Sequence, residues 1–249
     1  MVASRSLRTK AIVLDRTKLG EADLILTLLA ESGSQIRAVA KGARKPGGRL
    51  AARCELFCEA DMLIAHGRRL GIVSEAALID AHEVLRGELD RVSAASAVCE
   101  IAGLCCYEDS EDPFVYPITS RALRACEQAA DRPHLDLVCS AFAFKMLAHG
   151  GWRPQLDGCV ECGDPAPSRF SVTMGGMLCE SCAREVEGAE EVSPSQVAWI
   201  RALLGKTFDD LLAAEVDAHT AAWLASLSHV WAATHLDARL RAWEFMLSV

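Results

Sequence analysis

Cys159, Cys162, Cys179 and Cys182 form two C-x2-C pairs with sixteen residues between them. No other feature of the chain limits its possible folds as much. Two thiolates spaced this way turn inward together from one tight turn, and Gly163 directly after Cys162 frees the backbone to make it. Two such turns facing each other complete a tetrahedron of sulfurs at about 2.3 Å from a zinc ion. Four thiolates leave no position open for water or substrate, so the spacing predicts one structural Zn2+ and argues against metal catalysis. The surrounding segment, at about residues 155–190, is rich in Cys, Gly and Pro. It is too small to bury a core of its own, so metal binding should supply much of its folding free energy.

The other cysteines read differently. Eleven in all is an odd number for a disulfide framework, and in a reducing cytosol thiols are core residues, ligands or catalysts. Cys99, Cys105, Cys106, Cys126 and Cys139 fall in apolar helical patterns and read as core. Cys54 and Cys58 have three residues between them and no second pair nearby, which is not metal-ligand spacing. The apolar stretch Ala11 to Leu14, behind Arg5, Arg8 and Lys10, is too short for a signal-peptide core, and no apolar run approaches about 18 residues. The expectation is a cytoplasmic protein without a membrane segment.

Hydrophobic period divides the chain near residue 80. Over residues 9–80, short alternating runs are separated by turn residues. Ile36, Ala38 and Ala40 share one face, with Arg37 and Lys41 on the other. Cys58, Ala60, Met62 and Ile64 point inward, with Glu59 and Asp61 outward. About five strands in this length predict an OB-type β-barrel over residues 1–80. From residue 82 the period becomes helical. Val92, Ala95, Cys99, Ala102 and Cys106 form one stripe, and Leu135, Val138, Phe142 and Met146 another. Trp223, Leu227, Val230 and Trp231 follow at helical spacing, and His149 ends an apolar stripe as a core or capping residue. Asp112-Pro113 and Ser193-Pro194 pair a capping side chain with proline at a helix start. The predicted fold is α+β and multidomain: an N-terminal barrel, then an all-α domain over 81–249 carrying the four-cysteine lobe as an insertion.

Charge follows the same division. The chain's net charge is −8, but residues 1–80 hold 13 Lys and Arg against 9 Asp and Glu, a net of +4, leaving −12 for residues 81–249. Six basic residues and no acidic one lie between Arg37 and Arg53: Arg37, Lys41, Arg44, Lys45, Arg49 and Arg53. Gly42, Pro46, Gly47 and Gly48 make this stretch an open loop. Such a loop sets several cations against a phosphate backbone, giving salt-sensitive affinity without sequence readout. Arg68 and Arg69 in the next hairpin would extend the patch. Phe57 is the one aromatic residue in the first 80, so electrostatics should outweigh base stacking. A solvated loop with no ligand is the plain alternative.

Catalytic signatures are absent. The chain has no P-loop, no G-x-S-x-G elbow and no H-E-x-x-H. The cluster Glu108, Asp109, Glu111 and Asp112 reads as a solvated acidic loop.

Several stretches together resemble the bacterial recombination mediator family RecO. They are Gly20-Glu21-Ala22-Asp23, Ala40 to Pro46, Arg49-Leu50, Lys145 to Asp157, Arg169-Phe170-Ser171 and Gly175 to Cys179. Gly47-Gly48 stand where relatives often carry a more polar or basic pair. The resemblance implies a non-enzymatic protein that binds single- and double-stranded DNA and anneals complementary strands. It also implies partnership with RecR and single-stranded-DNA-binding protein, indirect service to RecA, and a place in the cytoplasm at the nucleoid. Lys41, Arg44, Lys45 and Arg49 would be DNA contacts and the four cysteines zinc ligands. Two other readings compete on the residues alone: a general nucleic-acid-binding zinc module for RNA or transcription, and a scaffold whose acidic helical part is the working surface.

Overall fold

The computed structural model describes residues 6–67 and 69–249, so the expected contact Arg68 lies outside the described residues. The chain forms two compact units, Met1–Glu127 and Gln128–Val249.

In the first unit, β1 (Ser6–Leu19), β2 (Asp23–Ala30), β3 (Gln35–Ala40), β4 (Glu59–Ala65) and β5 (Gly71–Asp80) close a barrel in the order β1-β2-β3-β5-β4. β1 pairs antiparallel with both β2 and β4, and β3 closes on β5 in parallel. Five strands in this order form an OB-type barrel, and closure removes the sheet edges. The alternating residues meet inside as their period requires: Ala38, Ala40, Cys58, Ala60, Met62 and Ile64 all belong to the barrel core. Cys54 and Cys58 are buried there, and burial pushes the Cys54 thiol up to about 12. Both are inert core residues.

Two helices follow the barrel, α1 (Leu89–Cys105) and α2 (Val115–Gln128). The last barrel strand ends at Asp80, and the compact unit runs on to Glu127. The reason is polar as well as apolar. The Gln35 amide donates to the Gly103 carbonyl at 3.0 Å, and Gln35 N–H donates to the Tyr107 carbonyl at 2.9 Å. Glu59, expected to face outward, does leave the barrel core but is buried beneath α2. Tyr116 Oη donates to its carboxylate at 2.6 Å and Ser120 Oγ at 2.9 Å. A carboxylate tolerates such burial only when its oxygens find donors.

The second unit is built on α3 (Arg132–His149), which carries Pro133 in its first turn under the N-cap Asp131. Leu135, Val138, Phe142 and Met146 are buried along it, while His149 is an exposed residue at its last turn. Between α3 and the later helices lie β6 (Arg169–Ser171), β7 (Gly176–Leu178), the short α4 (Glu180–Ala183) and β8 (Glu190–Glu191), the strands ordered β7-β6-β8. Then come α5 (Pro194–Gly205), α6 (Phe208–Leu212), α7 (Ala218–His235) and α8 (Arg241–Ser248). Ser193 and Gln196 close a capping box at the start of α5, as Ser193-Pro194 suggested.

The helical spacing of Trp223, Leu227, Val230 and Trp231 falls on α7, and the four residues divide between its faces. Trp231 is buried, but Val230 is 49% exposed, and Trp223 and Leu227 are only half-buried. The core face carries Ala221, Leu224, Ala225 and Ser228, and the small Ala221, Ala225 and Ser228 let α7 approach its neighbours closely. The larger residues border a surface cavity of about 380 Å³ shared with Phe170, Val172 and Val192. Among the described residues, no helix is long and apolar enough to cross a membrane.

Candidate nucleic-acid interface and metal centre

The basic loop is the connection from β3 to β4, and local hydrogen bonds shape it. Gly42 N–H donates to Asp23 Oδ1 at 2.7 Å, and Arg44 N–H to the Ala22 carbonyl at 2.9 Å. Two further turns follow, Lys45 N–H to the Gly42 carbonyl at 3.1 Å and Gly48 N–H to the Lys45 carbonyl at 2.9 Å. Buried Ala43 and Leu50 anchor the loop to the barrel. A Cβ on Gly48 would lie 2.6 Å from the Gly42 carbonyl oxygen, so a bulkier residue would force this turn apart. Gly48 is thus part of how this loop closes.

The cations divide into two kinds. Arg44 donates from Nη1 to the Gly20 carbonyl at 2.8 Å, Arg49 from Nη2 to the Ser74 carbonyl at 2.9 Å, and Arg53 from Nη1 to the Arg49 carbonyl. Each commits one guanidinium donor to the loop and keeps others for a ligand. Arg37, Lys41 and Lys45 are exposed without such a tie, and Arg69 is exposed in the turn between β4 and β5. Among the described residues none of these seven side chains forms an ion pair, whereas Arg8, Lys10 and Arg16 on the same barrel pair with Asp61, Glu31 and Glu55. Unpaired cations on one loop are a surface that a polyanion can neutralise. Phe57 is fully buried and offers no ring for stacking.

Sequence reasoning missed the residues that position this loop. Gly20, Ala22 and Asp23 were visible as a motif but had no assigned task. The hydrogen bonds to Arg44 and Gly42 supply one.

The four cysteines come together in the second unit. Their sulfurs all lie within 4.8 Å of one another, and Cys162 Sγ is 3.7 Å from Cys179 Sγ. Tetrahedral bonds of about 2.3 Å place sulfurs roughly 3.8 Å apart, so the set fits one metal ion. The first knuckle is closed by Gly163 N–H to the Cys159 carbonyl at 2.9 Å, with Gly163 at φ +75°. A non-glycine residue meets strain there. Cys179 caps α4, and Ala183 N–H bonds its carbonyl at 3.0 Å. Backbone N–H groups of Cys162 and Cys179 hold the Cys159 thiol down at about 6. The Ser181 hydroxyl, with the Cys182 N–H, lowers that of Cys179. Hydrogen bonds with Cys179 and Cys162 push the Cys182 thiol up to about 12, and that of Cys162 is also raised, so Cys159 and Cys179 are the readier thiolate donors. The lobe's own core is small: Cys159, Leu178 and Cys179, with partly buried Val160, Cys182, Ala183, Val186 and Ala189.

The Lys145 to Asp157 stretch leads into this lobe. Lys145 Nζ donates to the Leu204 and Lys206 carbonyls at 3.1 and 2.7 Å, and burial lowers its pKa. Arg201 Nη2 donates to the Leu156 carbonyl and Asp157 Oδ1, both at 2.7 Å. These residues hold structure.

Comparison with known proteins gives a consistent picture. The family model "Recombination protein O N terminal" matches residues 4–82, and "Recombination protein O C terminal" matches residues 86–244. Relatives named DNA repair protein RecO include that of Roseiflexus sp. (strain RS-1), 39% identical over 182 residues, or 72% of this chain and 63% of the relative. The match thus spans less than two thirds of that relative's length. The relative from Bifidobacterium longum (strain DJO10A) is 34% identical, over 84% of this chain and 87% of its own. That from Bifidobacterium adolescentis is 31% identical, over 95% of this chain and 97% of its own.

Proposed function

The chain belongs to the RecO family, and from that premise we propose that it is a non-enzymatic mediator of recombinational DNA repair in the cytoplasm, at the nucleoid. It binds single- and double-stranded DNA through the β3–β4 loop and anneals complementary strands. With RecR and single-stranded-DNA-binding protein as partners, it helps RecA load. Residues 1–80 are the DNA-binding part, and residues 81–249 form the helical domain with its zinc lobe.

The observation that carries this reading is the cluster of unpaired cations on the barrel: Arg37, Lys41, Arg44, Lys45, Arg49 and Arg53, with Arg69 in the next turn. DNA backbone contacts of this kind release counterions, hold either form of DNA and ignore sequence. A protein that grips backbones while leaving bases free suits annealing, because the bases must find each other. Burial of Phe57 favours this over a stacking single-strand binder. Zn2+ is the expected ion at the four cysteines, since closed thiolate sites of this geometry are structural zinc sites. When bound it supplies folding free energy to the lobe.

Binding to labelled single-stranded DNA, double-stranded DNA and RNA of one sequence tests the reading. Comparable binding to both DNA forms, with acceleration of annealing in the absence of ATP, supports it. Preference for RNA without annealing would favour a general nucleic-acid module instead.

A further inference from the structure

One cluster in the first unit has no part in the function proposed above. Asp80 ends β5, His82 follows two residues later, and Glu127 stands next to last in α2. His82 Nδ1 lies 3.0 Å from Glu127 Oε2 and 3.7 Å from Asp80 Oδ1, and one ligand atom from each residue lies within 4.8 Å of the others. The imidazole is completely buried, yet neither ring nitrogen makes a hydrogen bond.

Closeness without alignment is informative. An N–H···O hydrogen bond requires the N–H to point at its acceptor, and at 3.0 Å a well-aligned bond would be normal. Here the distance is right and the direction is wrong. Ligands of one cation behave this way, because their lone pairs aim at a shared third point. Donors about 2.0–2.1 Å from a four-coordinate ion stand roughly 3.3 Å apart, and the separations of 3.0 and 3.7 Å bracket that value.

The surroundings agree. Two carboxylates and a neutral imidazole together offset a divalent charge. The Asp80 and Glu127 side chains are 34% and 20% exposed, so the carboxylate side opens to water that can complete the coordination shell. Nearby guanidiniums mostly bind main chain: Arg86 Nη1 to the Ala81 carbonyl at 2.7 Å, and Arg91 Nη1 to the Cys126 and Glu127 carbonyls at 2.6 and 2.9 Å. They fix the backbone on both sides of the cluster. Arg124 Nε, 3.9 Å from Asp80 Oδ2, faces the oxygen that does not approach His82 most closely. His82 itself adopts the left-handed conformation, φ +45°, with its N–H on Asp80 Oδ1 at 3.0 Å.

We propose that Asp80, His82 and Glu127 form a second cation site, separate from the four cysteines, for a divalent transition ion that accepts nitrogen and oxygen donors. Zinc and manganese are of this class. Occupied, it ties the end of the last barrel strand to the end of α2.

The test uses the full chain with its cysteine site already loaded with zinc, titrated with Co2+. Cobalt in a histidine-carboxylate site absorbs weakly in the visible and shows no thiolate charge-transfer band, so the two sites are told apart by spectrum. One further Co2+ per chain is expected, without the thiolate band and with a rise in melting temperature. Asp80→Asn and Glu127→Gln, at partly exposed positions, should each lower the affinity of that second equivalent at least tenfold and leave the first in place. His82→Asn should do the same, since asparagine accepts the left-handed backbone. The proposal is overturned if the folded wild type takes up no second ion, if uptake only displaces zinc and brings the thiolate band, or if Asp80→Asn and Glu127→Gln both retain the second equivalent.

Discussion

Phe170 of β6 lies against Trp231 of α7, ring centroids 5.7 Å apart and planes tilted by 43°. Trp231 in turn meets Phe144 of α3 at 5.7 Å and His235 at 4.2 Å. The small cysteine-bearing lobe is thereby joined through one aromatic ring to the core of the helical body.

Removing metal from the cysteine site should therefore be visible at Trp231. Chelation under non-denaturing conditions should shift the tryptophan emission to the red and open residues 155–190 to proteolysis, while the barrel stays intact. Cys162→Ser should reproduce both effects. A metal-free chain with unchanged emission and a protected lobe would contradict the account. Phe170→Ala, in the loaded protein, should cost about 3–5 kcal/mol in denaturant unfolding, as expected for a buried aromatic truncation.

Acid should release the metal. Cys159, held at about 6 by backbone N–H groups of Cys162 and Cys179, sits below the ordinary thiol value of about 8.5. A depressed value means that its contribution is fully present above the ordinary value and is lost as pH falls through about 6. Protons then compete with metal for the sulfur. Metal content after equilibration should stay level near pH 8 and drop steeply below about 6. Loss on raising the pH instead would reverse the sign and reject the assignment.

Tyr116→Phe tests the contact between barrel and helix. It leaves the buried Glu59 carboxylate with Ser120 as its remaining side-chain donor. A loss of roughly 1–3 kcal/mol in urea unfolding is expected, since a buried charge loses a partner. Glu59→Gln with Tyr116→Phe should cost less than the sum of the single changes, because the two act on one interaction.

The loop cations should separate by role. Lys41→Ala and Lys45→Ala touch no structural hydrogen bond and should weaken DNA binding with stability unchanged within about 0.5 kcal/mol. Arg44→Ala and Arg49→Ala should also loosen the loop, since they release the Gly20 and Ser74 carbonyls. For single strands, neutralising about four to six phosphates gives a log affinity against log salt slope of about −3 to −4. A flat salt profile would rule out backbone electrostatics as the source of affinity.

Much of this was legible in the residues. The cysteine spacing carried the metal cluster because coordination geometry allows few chain paths. The strand alternation around Ala38 and Met62 carried the barrel because one face of each strand must be buried. Other features depended on long-range packing that local pattern does not encode. Glu59 alternates outward from the barrel and is still buried, because α2 lies over it. Trp223, Leu227 and Val230 keep helical spacing, but spacing alone does not say which face is buried, and α7 turns its other face, with Ala221, Leu224, Ala225 and Ser228, to the core. His82 carries no local signal, since its partner Glu127 is 45 residues away in sequence.

The most direct measurement of the central claim follows annealing of two labelled complementary oligonucleotides precoated with single-stranded-DNA-binding protein. Wild type should be compared with the triple variant Lys41→Glu, Arg44→Glu, Lys45→Glu, without ATP. The account predicts acceleration by wild type and a loss of at least tenfold in the variant, with its fold and metal content retained. Equal acceleration by both, or none by wild type despite tight DNA binding, would contradict it.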